Sequence, residues 1–201
     1  MGIKRIFDIV FSFVGLIILI PAFGIISIML KLKMPGPVFF KQKRVGQYGK
    51  LFSMYKFRTM KVSHGGNTIS VKGESRITPF GAVLRKYKLD ELPELLNILK
   101  GDMSLVGPRP DVPGYADMLT GEDRKILNLR PGLTGPASMK YSNEEELLAN
   151  QPDPKQYNDT VIFPDKVRIN LNYLHHMNLL LDFKIILFTV LGKKLVEPYF
   201  N

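Results

Sequence analysis

The feature that most constrains the fold of this chain is an uncharged segment close to its amino terminus. Residues Ile9 to Leu30, "IVFSFVGLIILIPAFGIISIML", carry no charge over about 22 residues, enough to cross the hydrocarbon core of a bilayer. A cleaved signal peptide fits poorly, because this apolar run is too long and no small-x-small cleavage site follows it. A soluble core rarely buries an all-apolar helix of this length, so the sequence predicts a retained membrane anchor.

The path of this anchor has two interpretations. Pro21 lies near its centre, with Gly24 and Ser27 behind it, and this pattern predicts a break in the helix. Basic residues flank both ends, as is typical of segments on the cytoplasmic side: Lys4, Arg5, Lys31, Lys33, Lys41, Lys43 and Arg44. A hairpin that enters and leaves one leaflet places both basic flanks on the cytoplasmic side, whereas an ordinary kinked span places only the downstream flank there. The residues alone leave both paths open.

Composition restricts the chemistry of the remaining chain. With 201 residues, of which 45% are hydrophobic, the chain can bury a sizeable core and is not a disordered protein. The net charge of +10 points to a polyanionic partner, which could be nucleic acid, an anionic bilayer or a phosphorylated substrate. The chain has no cysteine, which excludes disulfides, thiolate nucleophiles and cysteine-ligated zinc.

The composition turns polar and basic from Pro35, where a globular part is expected to begin. The pattern predicts a basic β-hairpin with strands at 38–45 and 51–60, followed by a loop rich in Gly, Ser and Asn at 61–76. Thr78 and Pro79 are typical of an N-cap and first helical position, so a helix is predicted to run from there to about Tyr87. A second helix is predicted from Glu91 to Lys100, closed by Gly101.

Later elements are predicted from shorter signals. Thr120 with Asp123 indicates a short helix, and Ser142 with Glu145 forms a capping-box pattern. Apolar residues recur at helical spacing over 167–190, as in a helix lying in a membrane interface or packed on a core. His64, His175 and His176 form no metal or catalytic pattern and are interpreted as structural or solvated.

Two adjacent carboxylates, Asp90 and Glu91, are the first candidate for chemistry. In the simplest interpretation Asp90 caps the second helix and Glu91 complements its positive end. A carboxylate at a helix N-terminus, near Arg85 and basic strands, would also be held ionised where an anionic substrate is attracted. Arg109 follows in a turn shaped by glycine and proline, and its planar guanidinium suits a phosphate or diphosphate.

Several separated motifs, in order and at characteristic intervals, carry a family resemblance. They are "KRIFDIV", "QKRVG", "YKFRTM", "RITPFGAVLRKYKLDELPELLNILKGDMSLVGPRP" and "RPGLTGP", and they extend from about Lys4 to Gly135. The series resembles the bacterial sugar transferase family, and within it the small monotopic phosphoglycosyl transferases. The resemblance implies transfer of a sugar-1-phosphate from a UDP-sugar to a polyprenyl phosphate such as undecaprenyl phosphate, with release of UMP.

The resemblance also implies roles for individual residues. Asp90 is expected to be the nucleophile and an Mg²⁺ ligand, forming an aspartyl-phosphosugar intermediate, with Glu91 as its partner. Arg85 and Arg109 would contact phosphates. Three further basic residues are either substrate-binding or hold the fold through ion pairs: Lys56, Arg58 and Arg130. Members of this family enter one leaflet through a helix broken near a proline, which here is Pro21.

Together these inferences predict an α+β protein. It would have a re-entrant helix-break-helix anchor at 1–34, a catalytic domain at 35–192 and a tail of unknown role at 193–201. The catalytic domain is expected to combine a small basic β-hairpin with a compact helical part and interfacial amphipathic helices. The protein is placed at the cytoplasmic face of the bacterial inner membrane, in contact with anionic lipids.

One class of function competes with the enzyme. A non-enzymatic, membrane-tethered adaptor with a basic face would also explain the anchor and the charge. Nucleic acid is not expected as a partner, because no basic-aromatic recognition motif accompanies the charge. The sugar is left open, partly because the chain lacks the tryptophan that the family often carries after the position of Gly135. Homo-oligomerisation is also left open.

Overall fold

The computed structural model of the chain describes residues 2–61 and 76–193. These residues form a mixture of helices and two small two-stranded sheets, which confirms the α+β class. The chain divides into two compact units, each made of two segments. The first unit contains residues 1–43 and 53–101, and the second contains 44–52 and 102–201. The domain boundaries predicted above stay predictions.

The anchor is one uninterrupted helix, α1, from Gly2 to Lys33, with Pro21 inside it. The predicted division into two helices with a break at Pro21 is therefore not seen. Proline removes one backbone hydrogen bond and crowds the preceding turn, but the apolar helix formers on both sides continue the helix. By length and composition α1 could cross a membrane, and only 11% of its most apolar window is buried.

One narrow stripe of α1 packs on the rest of the first unit. Asp8, Ser12, Ile26 and Leu30 are its buried residues, and their spacing of three to four residues or its multiples places them on one helical face. The opposite side exposes large apolar side chains along the whole helix: Ile3, Ile6, Phe13, Ile17, Ile18, Ile20, Ile25, Ile28 and Leu32. α1 is therefore both part of a folded unit and an apolar surface.

The two ends of the buried stripe meet different elements. Near the amino end, the Arg5 guanidinium donates to the carbonyls of Ile98 at 2.6 Å and Leu99 at 3.0 Å. At the other end, Ile26 and Leu30 join a hydrophobic cluster with three further buried residues, Met34, Phe57 and Leu84. Both halves of α1 are thus fixed to residues 53–101.

The hairpin and two helices complete this region. Strands β1 (Phe39–Val45) and β2 (Leu51–Phe57) pair as predicted and are joined by a 3-10 turn at Gln47–Gly49. Helix α2 is Pro79–Lys86, and the Thr78 hydroxyl accepts from the Gly81 N–H at 3.0 Å, which confirms the predicted N-cap. A 3-10 turn at Leu89–Glu91 and helix α3 (Glu94–Lys100) replace the single predicted helix.

The second unit is built around a short parallel pair of strands, β3 (Ser104–Val106) and β4 (Gly132–Thr134). Two 3-10 segments, Ala116–Met118 and Asp123–Asn128, lie between them in sequence. Up to residue 193, where the described part of the chain ends, five helices follow: α4 (Pro136–Lys140), α5 (Glu144–Ala149), α6 (Pro154–Tyr157), α7 (Phe163–His176) and α8 (Leu179–Val190). A π-helical turn at Asn158–Ile162 joins α6 to α7.

Local chemistry explains where some of these helices begin. The capping box predicted for α5 is wrong, because Asn143 precedes the helix and provides no side-chain cap. The Asn178 side chain caps α8 by accepting from the Leu181 N–H at 2.9 Å, which divides the predicted amphipathic segment into α7 and α8. α8 exposes a row of apolar residues, Leu180, Phe183, Leu187 and Val190, and Leu191 directly after the helix is exposed as well. The predicted loop beyond residue 61, His64 and nearly all of the predicted tail lie outside the described residues.

Candidate active site

Asp90 and Glu91 lie in the 3-10 turn between α2 and α3, and both are buried, with exposures of 7% and 8%. The turn begins at Lys88, whose left-handed backbone (φ 56°) reverses the chain after α2. Pro93, and not Asp90, precedes α3. The interpretation of Asp90 as a helix cap is therefore wrong, and the cap function does not explain the buried aspartate.

Lys56 of β2 holds this turn. Its ammonium lies 2.8 Å from Glu91 Oε1 and 3.4 Å from Glu94 Oε1, and all three side chains are largely buried. An ammonium between two carboxylates in a desolvated position fixes both of them more strongly than an exposed pair would. The structure thus brings Lys56 together with Asp90 and Glu91. Glu94 was missed, because its sequence position resembles an ordinary acidic residue in the first turn of a helix.

A polar ladder extends the contact between α3 and β2. The buried Asn97 side chain donates to the Ser53 carbonyl at 2.8 Å and accepts from the Tyr55 N–H at 3.0 Å. Lys100 then donates to the Tyr55 hydroxyl at 2.7 Å. The residues that contact β2 are therefore Glu91, Glu94, Asn97 and Lys100. Because they are three residues apart, they lie on one face. The turn that carries Asp90 is therefore fixed to a strand.

The electrostatics of Asp90 differ from the sequence-based expectation. Burial raises the pKa of its carboxyl; Lys56 and Arg85 oppose this effect, whereas Glu91 adds to it. The local charges therefore do not give Asp90 a lowered pKa, because the desolvation of its buried carboxyl outweighs them. Asp90 Oδ1 is buried and accepts no hydrogen bond from the described residues. A buried carboxylate oxygen without such a partner indicates a position for a ligand.

Arg58 has a different environment from that of Lys56. It is 6% exposed and donates to the Pro35 carbonyl at 3.1 Å and to the Met34 carbonyl. Gly36, with φ 125°, lies against the guanidinium, where a Cβ would collide with it. These contacts fix the chain segment directly after α1. They favour the interpretation that Arg58 holds the fold over the interpretation that it binds substrate.

Arg109 and Arg130 belong to the second unit, where the β3–β4 pair brings their backbones together. The Gly132 N–H donates to the Pro108 carbonyl at 2.7 Å, so the residue after Pro108 lies beside the segment that ends at Pro131. A Cβ on Gly107 would collide with the Arg130 carbonyl, which explains glycine at this position. The motifs "VGPRP" and "RPGLTGP" therefore form one structure that presents two arginines.

The other side of the Arg109 turn is held by the end of β1. Arg44 donates to the Pro110 carbonyl at 3.2 Å, and the Val45 N–H donates to the Asp111 carbonyl at 2.9 Å. Burial raises the pKa of the Asp111 carboxyl to about 6, although Lys166, Arg44 and Arg109 act in the opposite direction. Asp111 was missed, because nothing in its local sequence indicates that several cations surround it.

The histidines of α7 take no part in a comparable cluster within the described part of the chain. His176 Nδ1 lies 2.9 Å from the Asn172 carbonyl on an exposed part of α7, as expected for a structural or solvated residue. Among residues 2–61 and 76–193, no group of three or more His, Cys, Asp or Glu side chains is arranged to hold a metal ion.

The sequence of this chain is similar to those of known proteins. The family model described as bacterial sugar transferase matches residues 1–194. An exopolysaccharide production protein, PSS, from Rhizobium leguminosarum is 42% identical over 69% of this chain and 74% of its own length. A UDP-glucose:undecaprenyl-phosphate glucose-1-phosphate transferase from Caulobacter vibrioides is 34% identical over 93% of this chain and 68% of its own length. An enzyme of the same name from Xanthomonas campestris is 36% identical over 95% of this chain but only 39% of its own length.

Proposed function

The chain belongs to the bacterial sugar transferase family, and from this membership we propose that it moves a sugar-1-phosphate from a UDP-sugar to undecaprenyl phosphate or a related polyprenyl phosphate. UMP would be released, and a polyprenyl-diphosphate-sugar would form. The observation that carries the proposal is the buried Asp90, whose Oδ1 has no hydrogen-bond partner among the described residues and which lies beside Glu91 and Lys56. The sugar is not specified by these residues.

We propose a two-step displacement at Asp90. In the first step a carboxylate oxygen attacks the phosphorus that bears the sugar, and the bond from that phosphorus to the oxygen of UMP breaks. In the second step an oxygen of the polyprenyl phosphate attacks the same phosphorus, and the acyl-phosphate bond breaks to restore the carboxylate. The two steps let a soluble donor and a lipid acceptor use one small site in turn.

The other candidate residues have separate tasks in this scheme. Lys56 and the ladder on α3 hold the turn, so that Asp90 meets the donor in a fixed geometry. Arg85, which interacts electrostatically with Asp90, is proposed to contact a phosphate of the substrate. Arg109 and Arg130 are proposed to bind phosphate oxygens through their guanidinium groups.

The donor set at Asp90 also fits Mg²⁺. This ion is commonly bound by one or two carboxylates together with water and substrate phosphates, so a single available carboxylate oxygen is sufficient. We propose that Asp90 contributes to holding Mg²⁺ and that the bound ion neutralises charge on the donor diphosphate. Turnover should stop in excess chelator and return with added Mg²⁺; full turnover in chelator would contradict this part of the proposal.

The packing of α1 supports a path that enters and leaves the same face of the membrane. Arg5 and Leu30 are 25 residues apart, or about 37 Å along a straight helix, which exceeds a hydrocarbon core of about 30 Å. Yet Arg5 contacts Ile98 and Leu99, and Leu30 contacts Phe57 and Leu84, all within residues 53–101. Complete crossing would draw this charged region into hydrocarbon, at high cost.

We therefore propose a re-entrant anchor in which the continuous helix α1 stays within one leaflet, with both ends at the cytoplasmic face of the bacterial inner membrane. The exposed apolar row on α8 would lie in the interface, near Lys184 and Lys193, which attract anionic lipids. The anchor would then place the acceptor lipid and Asp90 at the same membrane surface.

The experiment that tests the function measures UMP release from a panel of UDP-sugars, with and without undecaprenyl phosphate. Enzyme and the correct UDP-sugar alone should release a burst of UMP and acquire a phosphosugar mass on Asp90. Asp90→Asn should fold but give neither the burst nor the adduct, whereas Asp123→Asn at an exposed position should behave as wild type. An active Asp90→Asn protein would contradict the nucleophile, and wild-type enzyme inactive with every donor would favour the adaptor.

A further inference from the structure

The outer face of α2 is apolar although it is exposed. The adjacent Ala82 and Val83 are exposed on this side, Tyr87 follows four residues after Val83 at the end of the helix, and Val83 and Tyr87 are 47% and 63% exposed. On the inner side, Gly81 and Leu84 are buried. A helix on a water-facing surface normally has a polar outer face, but the polar residues of α2 are only the cations Arg85 and Lys86 at its end. The outer side of α2 is therefore apolar at Ala82 and Val83 and becomes basic at its end.

The carboxy-terminal end of the anchor packs against α2. Leu84 packs in the same cluster as Ile26 and Leu30 of α1, so the two helices are neighbours. At this end of α1 the side chains of Ile28 and Leu32 are 61% and 75% exposed. Lys33 of α1 lies over the Phe80 ring of α2, with Nζ 5.9 Å from the ring centre. In the proposed function lipid surrounds this end of α1, so α2, which packs against it, also lies close to the membrane.

Positive charge follows the apolar face toward the candidate active site. Lys86 Nζ lies 5.4 Å from the centre of the Tyr87 ring, and both Lys86 and Lys88 are exposed. Aromatic rings with adjacent cations are typical of the headgroup layer, where the rings contact lipid and the cations meet phosphates. Asp90 comes two residues after Lys88. Along the chain, an apolar contact surface is thus followed by cations and then by the catalytic carboxylate.

We propose that the outer face of α2 is the docking surface for the polyprenyl phosphate acceptor. Ala82, Val83 and Tyr87 would contact the isoprenoid units nearest the phosphate, and Lys86 and Lys88 would attract the phosphate itself. An acceptor of this class combines an apolar chain with an anionic end, which matches the order of apolar and basic residues on α2. The inference rests on the proposed function and adds the place where its lipid substrate binds.

A single tryptophan can test the contact with lipid, because the chain contains none. Tyr87→Trp in liposomes of phospholipids brominated along their acyl chains should lose fluorescence relative to unbrominated liposomes, and should be shielded from aqueous iodide. Tyr48→Trp, at a tyrosine of similar exposure (60%) in a polar turn, should be quenched by iodide instead. If position 87 responds only to iodide, the proposed docking surface is wrong, even if the enzyme is active.

Kinetics distinguish acceptor binding from contact with bulk lipid. Val83→Glu should raise the KM for undecaprenyl phosphate about tenfold while leaving the KM for the UDP-sugar unchanged, because the substitution places a charge in the apolar contact. Val83→Leu should retain the wild-type acceptor KM. Val161→Glu, at an exposed valine of similar exposure (43%) on the π-helical turn, should change neither constant.

The outcomes separate this inference from the function on which it rests. The first half-reaction uses no acceptor, so Val83→Glu should still release the burst of UMP. An unchanged acceptor KM in Val83→Glu would overturn the docking surface, even if the fluorescence of Tyr87→Trp shows contact with lipid. An equal rise in both KM values would also overturn it. Loss of the proposed function itself would appear in the wild-type protein, as absence of UMP release with every donor.

Discussion

The ammonium group of Lys56 lies between two carboxylates that are almost out of water. The side chains of Glu91 and Glu94 are only 10% and 3% exposed, and Lys56 is 15% exposed. Asp90 adds a third carboxyl group to this region, and its interaction with Lys56 is the strongest one opposing its desolvation. Lys56 therefore has two effects: it holds the turn in place, and it reduces the electrostatic cost of concentrating acidic groups there.

Replacing Lys56 should show both effects. Lys56→Met should lower the free energy of unfolding by about 3 kcal/mol, because it leaves buried carboxylates without their cation. UMP release should also fall, at a temperature where the variant remains folded. Lys50→Met, at an exposed position of the hairpin, is the control and should change neither quantity. Stability would be measured by urea denaturation and activity by UMP release. If Lys56→Met equals wild type in both, Lys56 neither holds the turn nor supports activity.

At the scale of the elements, the sequence predicted those whose signals are local. Thr78 and Pro79 start α2 as expected, because an N-cap and a first-turn proline act within a few residues. The β3–β4 pair could not be predicted in this way, since strands of three residues show no periodicity and their pairing depends on residues far apart in the chain. The turn at Asp90 was misassigned because the second helix begins three residues later than predicted: Leu89–Glu91 form a 3-10 turn, and α3 begins at Glu94.

α4 and α7 are joined by a charged cluster at Asp165 that should give the fold an acid-sensitive component. Burial acts to raise the pKa of Asp165, but bonds from Lys140, Tyr141 and Arg168 outweigh it and lower the pKa to about 2. The Lys140 ammonium and the Tyr141 hydroxyl both lie 2.8 Å from Asp165 Oδ2. Arg168 Nη2 lies 2.9 Å from Oδ1.

The sign of the pH effect follows from this lowered pKa. The folded state holds the Asp165 proton more weakly than the unfolded state, whose pKa is near 3.8, so the stabilisation is complete above about pH 5. It is lost as the pH falls toward 2. Asp165→Asn should reduce the free energy of unfolding by about 2 kcal/mol at pH 7 and by much less at pH 2. Urea titrations of both proteins at several pH values would measure this difference in the free energy of unfolding. If the difference does not change with pH, the stabilisation by Asp165 is not ionic.

For the molecule as a whole, sequence and structure describe the anchor differently. The apolar run and its basic flanks predicted the membrane segment, because length and charge are properties of the sequence itself. The continuous helix through Pro21 was not predicted, since one proline can either break or bend a helix, depending on its surroundings. The contacts of Arg5 with Ile98 and Leu99 were also not predicted, because nothing local to Arg5 identifies a partner so distant in sequence.

The absence of cysteine makes the topology directly measurable. Single cysteines at Gly2 and Lys33 should both be shielded from a membrane-impermeant thiol reagent in intact cells, and both should react after the inner membrane is opened. This pattern follows from placing both ends of α1 on the cytoplasmic side. Labelling of Gly2→Cys from outside, with Lys33→Cys still shielded, would show a true span and contradict the re-entrant path.

The contact between Arg5 and α3 also has a consequence for biosynthesis. Arg5 leaves the ribosome about 94 residues before Leu99, one of its two carbonyl acceptors, is made. At a translation rate of about 5 to 20 residues per second, this interval lasts roughly 5 to 20 s. During that time the new amino end can be held only by water and lipid headgroups, so the nascent anchor waits at the membrane surface until α3 emerges to fix it.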